Sequence, residues 1–489
     1  MRLNARILLL FVALAAITAQ AQITQFQHII VVFQENRTPD NLFYSLCFKK
    51  RCSTHPNNTQ YNIQTSNWLN ASSPSGVTQP VAKPLNNGYD LDHSHGGWKN
   101  QCDGGASPTL CKMDGAYKTS PNNGAYFFVD NSTGILNPYL TLARSYGWAN
   151  YMFQTNQGPS FPAHQFIFGG TSALSATADA GGTFISENFN GGPAGCYAQD
   201  GETTVLVDAA SQETVYTIDH ATGKIVCIPP QNMGGRSTMA DLLDNATPKL
   251  SWTYYSTTGG GQDKGGSIWT APNALEAICV PDAGFQNCTG MECKDHVVLN
   301  PSQVLTDLGA NGGTCNLKNV SWVIPVGGNS DHPGGSTGGP AWVASVVNAL
   351  GESKCVNRDG STYWNTTAVV ITWDDWGGFY DHEPPTILGN PEGGYQFGFR
   401  VPMIFVSAYT PVKYIDNVRH DFGSILRFIE HNFNLGEGKL GFADKRAITD
   451  LTDFYNLSNT PRTFVPIMTP KTAADFINDK TPPTDPDDE

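Results

Sequence analysis

Residues Thr367 to Pro385 read Thr-Ala-Val-Val-Ile-Thr-Trp-Asp-Asp-Trp-Gly-Gly-Phe-Tyr-Asp-His-Glu-Pro-Pro. From Ala368 to Trp373 the residues are β-branched or apolar without interruption, which is how a strand covered on both faces reads. The run stops on two adjacent carboxylates, Asp374 and Asp375. A Gly377-Gly378 turn follows, and then a second polar pair, Asp381-His382. Ligands of open α/β sheets bind just beyond the carboxyl ends of the strands. Two neighbouring carboxylates there repel one another unless a cation lies between them, and hard oxygen donors suit a divalent metal. An Asp-rich turn capping the next element is the ordinary alternative for these residues taken alone.

A second run of the same kind, His28-Ile29-Ile30-Val31-Val32-Phe33, opens into Gln34-Glu35-Asn36-Arg37. If these two strands are neighbours, Glu35 and Asn36 come beside Asp374 and Asp375. Three carboxylates and an amide oxygen then make a reasonable shell for a divalent cation. Read by itself, Glu35-Asn36 is a turn or a helix cap.

Strand, polar loop and helix recur along the rest of the chain. Leu250 to Tyr255, Val320 to Val326 and Phe399 to Ser407 read as strands. Pro138 to Tyr146, a segment from Ser237 as cap to Asn245, Pro340 to Leu350, and Phe422 to Phe433 capped by Asp421 read as helices. The fold class expected is α/β, with a central, mainly parallel sheet flanked by helices. Residues 171–235 are Gly-rich with short alternating runs and read as an irregular, β-rich insertion. The tail 470–489, rich in Pro and Asp, reads as flexible. Residues 22–469 are expected to form one catalytic domain.

Three loops carry further chemistry. Asp90-Leu91-Asp92-His93-Ser94-His95 packs acids and imidazoles into one short stretch, where each imidazole can have an orienting acid. Gly158-Pro159-Ser160-Phe161-Pro162-Ala163-His164 turns sharply and can start a helix, placing the Ser160 hydroxyl where amide N–H groups hold an anion. It is not the Gly-x-Ser-x-Gly elbow of serine carboxylesterases, which disfavours that chemistry. Asp331-His332-Pro333 follows the strand at Val320.

The 489 residues, 40% hydrophobic and 15% charged, can bury a large core, while 50 Gly and 31 Pro point to long loops. A net charge of -14 argues against nucleic acid as a partner. Residues 1–21 read as a signal peptide: Arg2 and Arg6, an apolar Ile7 to Ala19, and an Ala19-Gln20-Ala21 cleavage site. Nothing later is long enough to span a bilayer, so the expected location is secreted or periplasmic. All 11 Cys lie beyond Ala21, as suits an oxidising compartment. Cys47 with Cys52, Cys102 with Cys111 and Cys196 with Cys227 are plausible local pairs, and the odd count leaves one thiol over. No Cys-x-x-Cys spacing supports zinc.

Together these segments resemble the bacterial phosphoesterase family of non-haemolytic-type phospholipases C and related acid phosphatases, from about Gln27 to about Asn434. The resemblance is carried by Glu35-Asn36-Arg37, Asp92-x-x-His95, Gly158-Pro159-Ser160-Phe161-Pro162, Asp331-His332-Pro333, the block Thr372 to His382, and Arg400-Val401-Pro402. It implies a core like that of alkaline phosphatases and sulfatases. It also implies a metal held by Glu35, Asn36, Asp374 and Asp375, a phosphoserine at Ser160, and His95 and His332 at the phosphoryl oxygens or the leaving group. His93 and His382 are weaker candidates. Phosphate esters, including phospholipid head groups, are the implied substrates. A broad acid phosphatase is the second reading, and a secreted binding protein on the same scaffold a third. Thr38-Pro39-Asp40 departs from the family's usual Ser/Thr-Phe-Asp. Ala163 stands where the family tends to have an Asn that contacts phosphate.

Overall fold

The computed structural model describes residues 23–481, apart from 49–50, 88–89, 104–110, 121–122, 191–192, 258–266, 285–287, 386–395 and 448. The expected signal peptide and the last residues of the tail, 482–489, lie outside the described residues.

Eight strands form one sheet: β1 (His28–Gln34), β2 (Gly147–Phe153), β3 (Trp252–Tyr255), β4 (Val297–Val298), β5 (Val320–Val323), β6 (Thr367–Trp373), β7 (Met403–Ser407) and β8 (Tyr414–Asp421). Their order across the sheet is β4-β3-β5-β1-β6-β7-β2-β8. Every pairing is parallel except the two made by β7. The sheet is therefore mostly parallel with one reversed strand. Every residue of β1 and β6 is buried. A sheet covered on both faces demands the unbroken apolar runs these strands show.

Helices α1 (His95–Cys102), α2 (Asn137–Ser145), α3 (Ser160–Gly169), α4 (Gly339–Gly351) and α5 (Phe422–Phe433) accompany the sheet. α2 packs on α4, and α3 on α5. α5 starts where the sequence indicates, with an Asp421–Ser424 capping box, a feature that stabilises a helix start by about 1 kcal/mol. Several boundaries shift. The cap at 237–238 is Thr238 rather than Ser237. β5 stops at Val323, and β7 starts at Met403 rather than Phe399, the residues beyond being drawn into loops at the strand ends. Within 171–235 a small antiparallel sheet forms from Phe184–Ile185, Thr203–Val207 and Glu213–Thr217. The flexible tail expected from Pro470 is corrected in part: Ala473–Asn478 is helical, and buried Phe476 meets the Trp342 ring edge-on.

Five disulfides link Cys47–Cys52, Cys102–Cys111, Cys196–Cys227, Cys288–Cys293 and Cys315–Cys355, and Cys279 is left as a buried thiol. Among the described residues, no helix is long and apolar enough to cross a membrane. The disulfides fit an extracellular or periplasmic protein.

One core group bears on stability against pH. Glu430, buried on α5, has its carboxyl pushed up to about 9, first by burial and then by Asp444 and Glu437. An acid raised on folding is fully tolerated below its unfolded value near 4.3. The protein loses stability as pH rises from there toward 9. Glu430→Gln should remove that loss, gaining on the order of 1–3 kcal/mol at pH 8 and little at pH 4.5. Melting curves across this range check it; parallel pH profiles for the two proteins would contradict it.

Candidate active site

β1 and β6 run side by side with Gln34 opposite Trp373. The ladder continues one step past the sheet, where the Asp374 N–H donates to the Gln34 carbonyl at 2.9 Å. Glu35-Asn36 and Asp374-Asp375 are thus brought together by register alone. The backbone then fixes one oxygen of each aspartate. Asp374 Oδ1 accepts from Asn36 N at 3.0 Å and Asp375 N at 2.7 Å, and Asp375 Oδ1 accepts from Gly377 N at 2.7 Å. Gly377 is required: its φ is +60°, and a Cβ there would fall 2.4 Å from the Asn36 carbonyl oxygen.

Ser160 is the first residue of α3, behind β2. Its hydroxyl lies 3.4 Å from both Glu35 Oε2 and Asp375 Oδ2. One turn later, on the same helix face, His164 Nε2 stands 3.2 Å from Glu35 Oε1 and 3.9 Å from Asp374 Oδ2. Burial pushes the His164 imidazole down to about 4, with Asp374 opposing. All of these side chains are buried. His164 was not expected in the site, although the Ser160-x-x-x-His164 spacing is the signal that could have found it.

The donor set fits a divalent cation. Ligand atoms of Glu35, His164 and Asp374 all lie within 4.8 Å of one another. Two buried oxygens, Asn36 Oδ1 and Asp374 Oδ2, have no hydrogen-bond partner among the described residues. Leaving such atoms unsatisfied is unfavourable by about 1–3 kcal/mol each, which a cation coordinating through oxygen relieves. His93 orients the amide. Its Nδ1 lies 2.7 Å from the Leu91 carbonyl, so that nitrogen carries the proton and Nε2 accepts from Asn36 Nδ2 at 3.2 Å. The amide oxygen of Asn36 is thereby turned away from His93.

The remaining histidines differ in setting. His95 opens α1, and its Nδ1 donates to the Gln157 carbonyl at 2.8 Å, on the turn that leads to Ser160. Its buried Nε2 has no hydrogen-bond partner among the described residues and lies 3.6 Å from Glu213 Oε1. Burial lowers its basicity, and the Gln157 hydrogen bond opposes this. His332 sits in the loop after β5, with Nδ1 donating to the Pro333 carbonyl at 2.8 Å. His382 is engaged elsewhere: Nδ1 meets Asp40 at 2.8 Å and Nε2 meets Asn62 at 2.9 Å. Beside it, Arg400 grips Asp381 at 3.0 and 2.9 Å. That guanidinium, also 3.6 Å from Asp40, already supplies a counter-charge to the Asp40–Asp381–His382 cluster.

A serine at a helix N-terminus beside clustered carboxylates, past the carboxyl ends of a mostly parallel sheet, defines an α/β protein with a polar, cation-suited centre. The Phosphoesterase family profile matches residues 26–436, and the chain belongs to that family. It is 24% identical to phospholipase C B of Mycobacterium tuberculosis, an alignment covering 90% of this chain and 79% of that protein. It is 25% identical to non-hemolytic phospholipase C of Pseudomonas aeruginosa over 33% of this chain and 26% of that one. Non-specific phospholipase C6 of Arabidopsis thaliana is 32% identical over 30% of each chain. The Pseudomonas and Arabidopsis alignments thus span less than a third of those relatives' own length. A solved structure from the alkaline phosphatase superfamily of Vibrio parahaemolyticus aligns with a TM-score of 0.30 and 10% identity, over 62% of this chain and 60% of that one.

Proposed function

We propose that this chain, a hydrolase of phosphoric ester bonds by its family, is an exported, metal-dependent phosphoesterase of the phospholipase C type that works through a phosphoserine at Ser160. On this reading residues 22–469 are one catalytic domain released by cleavage after Ala21. Its core is of the alkaline-phosphatase and sulfatase kind. The observation that carries the reading is the Ser160 hydroxyl, set 3.4 Å from Glu35 and Asp375, of which Glu35 clusters with His164 and Asp374.

Glu35, Asn36, Asp374 and Asp375 hold the cation, with His164 at the same cluster; when bound it neutralises charge on the phosphoryl oxygens and eases ionisation of the serine hydroxyl. Ser160 Oγ attacks phosphorus, so that a new O–P bond forms as the bond to the leaving alkoxide breaks. The proton released by Ser160 passes to that alkoxide, and His95 Nε2 is the atom that carries it. Water then attacks the phosphoserine and restores the hydroxyl. His332 contacts the phosphoryl oxygens, His93 holds the Asn36 amide, and His382 belongs to the Asp40–Arg400 ion network rather than to the chemistry.

The long alignment to a protein named phospholipase C favours a phosphodiester with a lipid head group over a monoester. The second reading, a broad acid phosphatase, uses the same nucleophile. Head-group release from phosphatidylcholine, compared with hydrolysis of an aryl phosphate after chelation and reloading with several divalent cations, tests both. A higher kcat/KM on the lipid is expected. Preference for the aryl phosphate would make the protein a phosphatase. No turnover of either with any cation would leave only the binding-protein reading.

A further inference from the structure

Asp331 serves the site without belonging to it. The residue is fully buried in the loop after β5. Its Oδ2 accepts from three donors: the Tyr139 hydroxyl at 2.6 Å, Trp373 Nε1 at 3.2 Å and Gln34 Nε2 at 3.4 Å. Gln34 and Trp373 are the last residues of β1 and β6, and they face one another across the ladder. The next residues along each strand are Glu35 and Asp374. One carboxylate oxygen therefore ties together the two strand ends that present the candidate ligands.

The backbone repeats the arrangement. The Asp331 carbonyl accepts from Arg37 Nε at 2.9 Å, and the Ser330 carbonyl accepts from Glu35 N at 2.7 Å. Asp331 itself stands at φ +74°, a conformation unfavourable for a residue with a Cβ. Its N–H is held by Ser336 Oγ at 2.9 Å. Room for the carboxylate comes from Gly339, where a Cβ would fall 1.9 Å from Asp331 Oδ1.

We propose that Asp331 is a positioning residue that sets the spacing of Glu35 and Asp374, and through it the grip on the cation. This rests on the reading of those two residues as ligands. A purely structural Asp331 would lower the melting temperature when altered, yet leave cation affinity unchanged well below melting. A positioning Asp331 changes the affinity itself. Residues that orient metal ligands typically lose about 10–100-fold in affinity when removed.

The test is Mn²⁺ titration calorimetry at 20 °C on the full chain, with kcat and KM measured in parallel. Asp331→Ala should bind Mn²⁺ about 10–100-fold more weakly. Asp331→Asn keeps an oxygen for Tyr139 and Trp373 and should recover most of the affinity. Tyr139→Phe, which removes only the 2.6 Å bond, should fall between. At saturating Mn²⁺ the KM for ester should be unchanged. If Asp331→Ala does not fold, Tyr139→Phe decides the question alone. Wild-type Mn²⁺ affinity in the variants that fold would overturn the positioning role while leaving the metal reading intact. Failure of the wild-type chain to bind any divalent cation would instead overturn the metal reading, and this inference with it.

Discussion

Ser160→Ala should lose several orders of magnitude in turnover while melting close to the wild type. Among the described residues the hydroxyl makes two hydrogen-bond contacts, both at 3.4 Å, too long to contribute much to folding. The helix does not depend on it either. Ser160 is the first residue inside α3 rather than its cap, a place held by Pro159, and Phe161 N is satisfied by Asn188 Oδ1 at 2.8 Å. A serine that merely capped a helix would show the reverse pattern: a loss of about 0.5–2 kcal/mol in stability with near-normal turnover. Measuring rate and melting temperature on one preparation separates the two. Ser160→Thr retains a hydroxyl and should keep part of the rate. Ser160→Cys should keep little, because a thiolate is a soft partner for a hard cation. Near-normal hydrolysis by Ser160→Ala would end the phosphoserine proposal.

What makes the candidate site legible is chemistry repeated at strand ends. The runs Ile29 to Phe33 and Ala368 to Trp373 announce buried strands, and each releases into carboxylates. Adjacency is a different matter, because a buried apolar run carries no information about its neighbours or its direction. That β1 pairs with β6, and that β7 runs against them, emerges only from the assembled sheet. The same limit explains His382. Next to Asp381 and after two glycines it looks chemical, but Asp40 and Asn62, more than 300 positions away, occupy both its nitrogens. His164 was overlooked for the opposite reason: a single histidine inside a helix of Phe, Ile and Ala resembles core, and only the turn it shares with Ser160 sets it apart. At the tail, Pro and Asp outweighed one aromatic residue, Phe476, whose burial anchors the last helix. Three disulfides, Cys47–Cys52, Cys102–Cys111 and Cys196–Cys227, join the pairs that spacing suggests, whereas Cys288–Cys293 and Cys315–Cys355 lie among four loop cysteines and Cys355 whose pairing spacing leaves open.

Glu35→Gln should abolish most activity and yet stabilise the metal-free protein. Glu35, Asp374 and Asp375 are fully buried within one cluster. Without a cation their like charges oppose one another in a medium that screens poorly. Replacing one carboxylate with an amide of the same shape removes part of that repulsion. A neighbouring charge shifts a carboxylate by about 1–3 pKa units, so relief of one such repulsion is a gain on the order of 1–4 kcal/mol. With the cation the sign reverses. A ligand that binds only the folded state adds about 2.7 kcal/mol at a hundredfold excess over its Kd. The variant, lacking one anionic donor, forfeits most of this. Turnover should fall by about 10²–10³ or more, as when a group that stabilises transition-state charge is removed. The experiment is a set of four melting curves, wild type and Glu35→Gln, each with EDTA and with Mn²⁺. The variant should melt higher in EDTA, and the wild type should gain far more from Mn²⁺. If the variant melts lower in EDTA and gains from Mn²⁺ as much as the wild type, Glu35 holds no cation. Its contacts with Ser160 and His164 would then be no more than core hydrogen bonds.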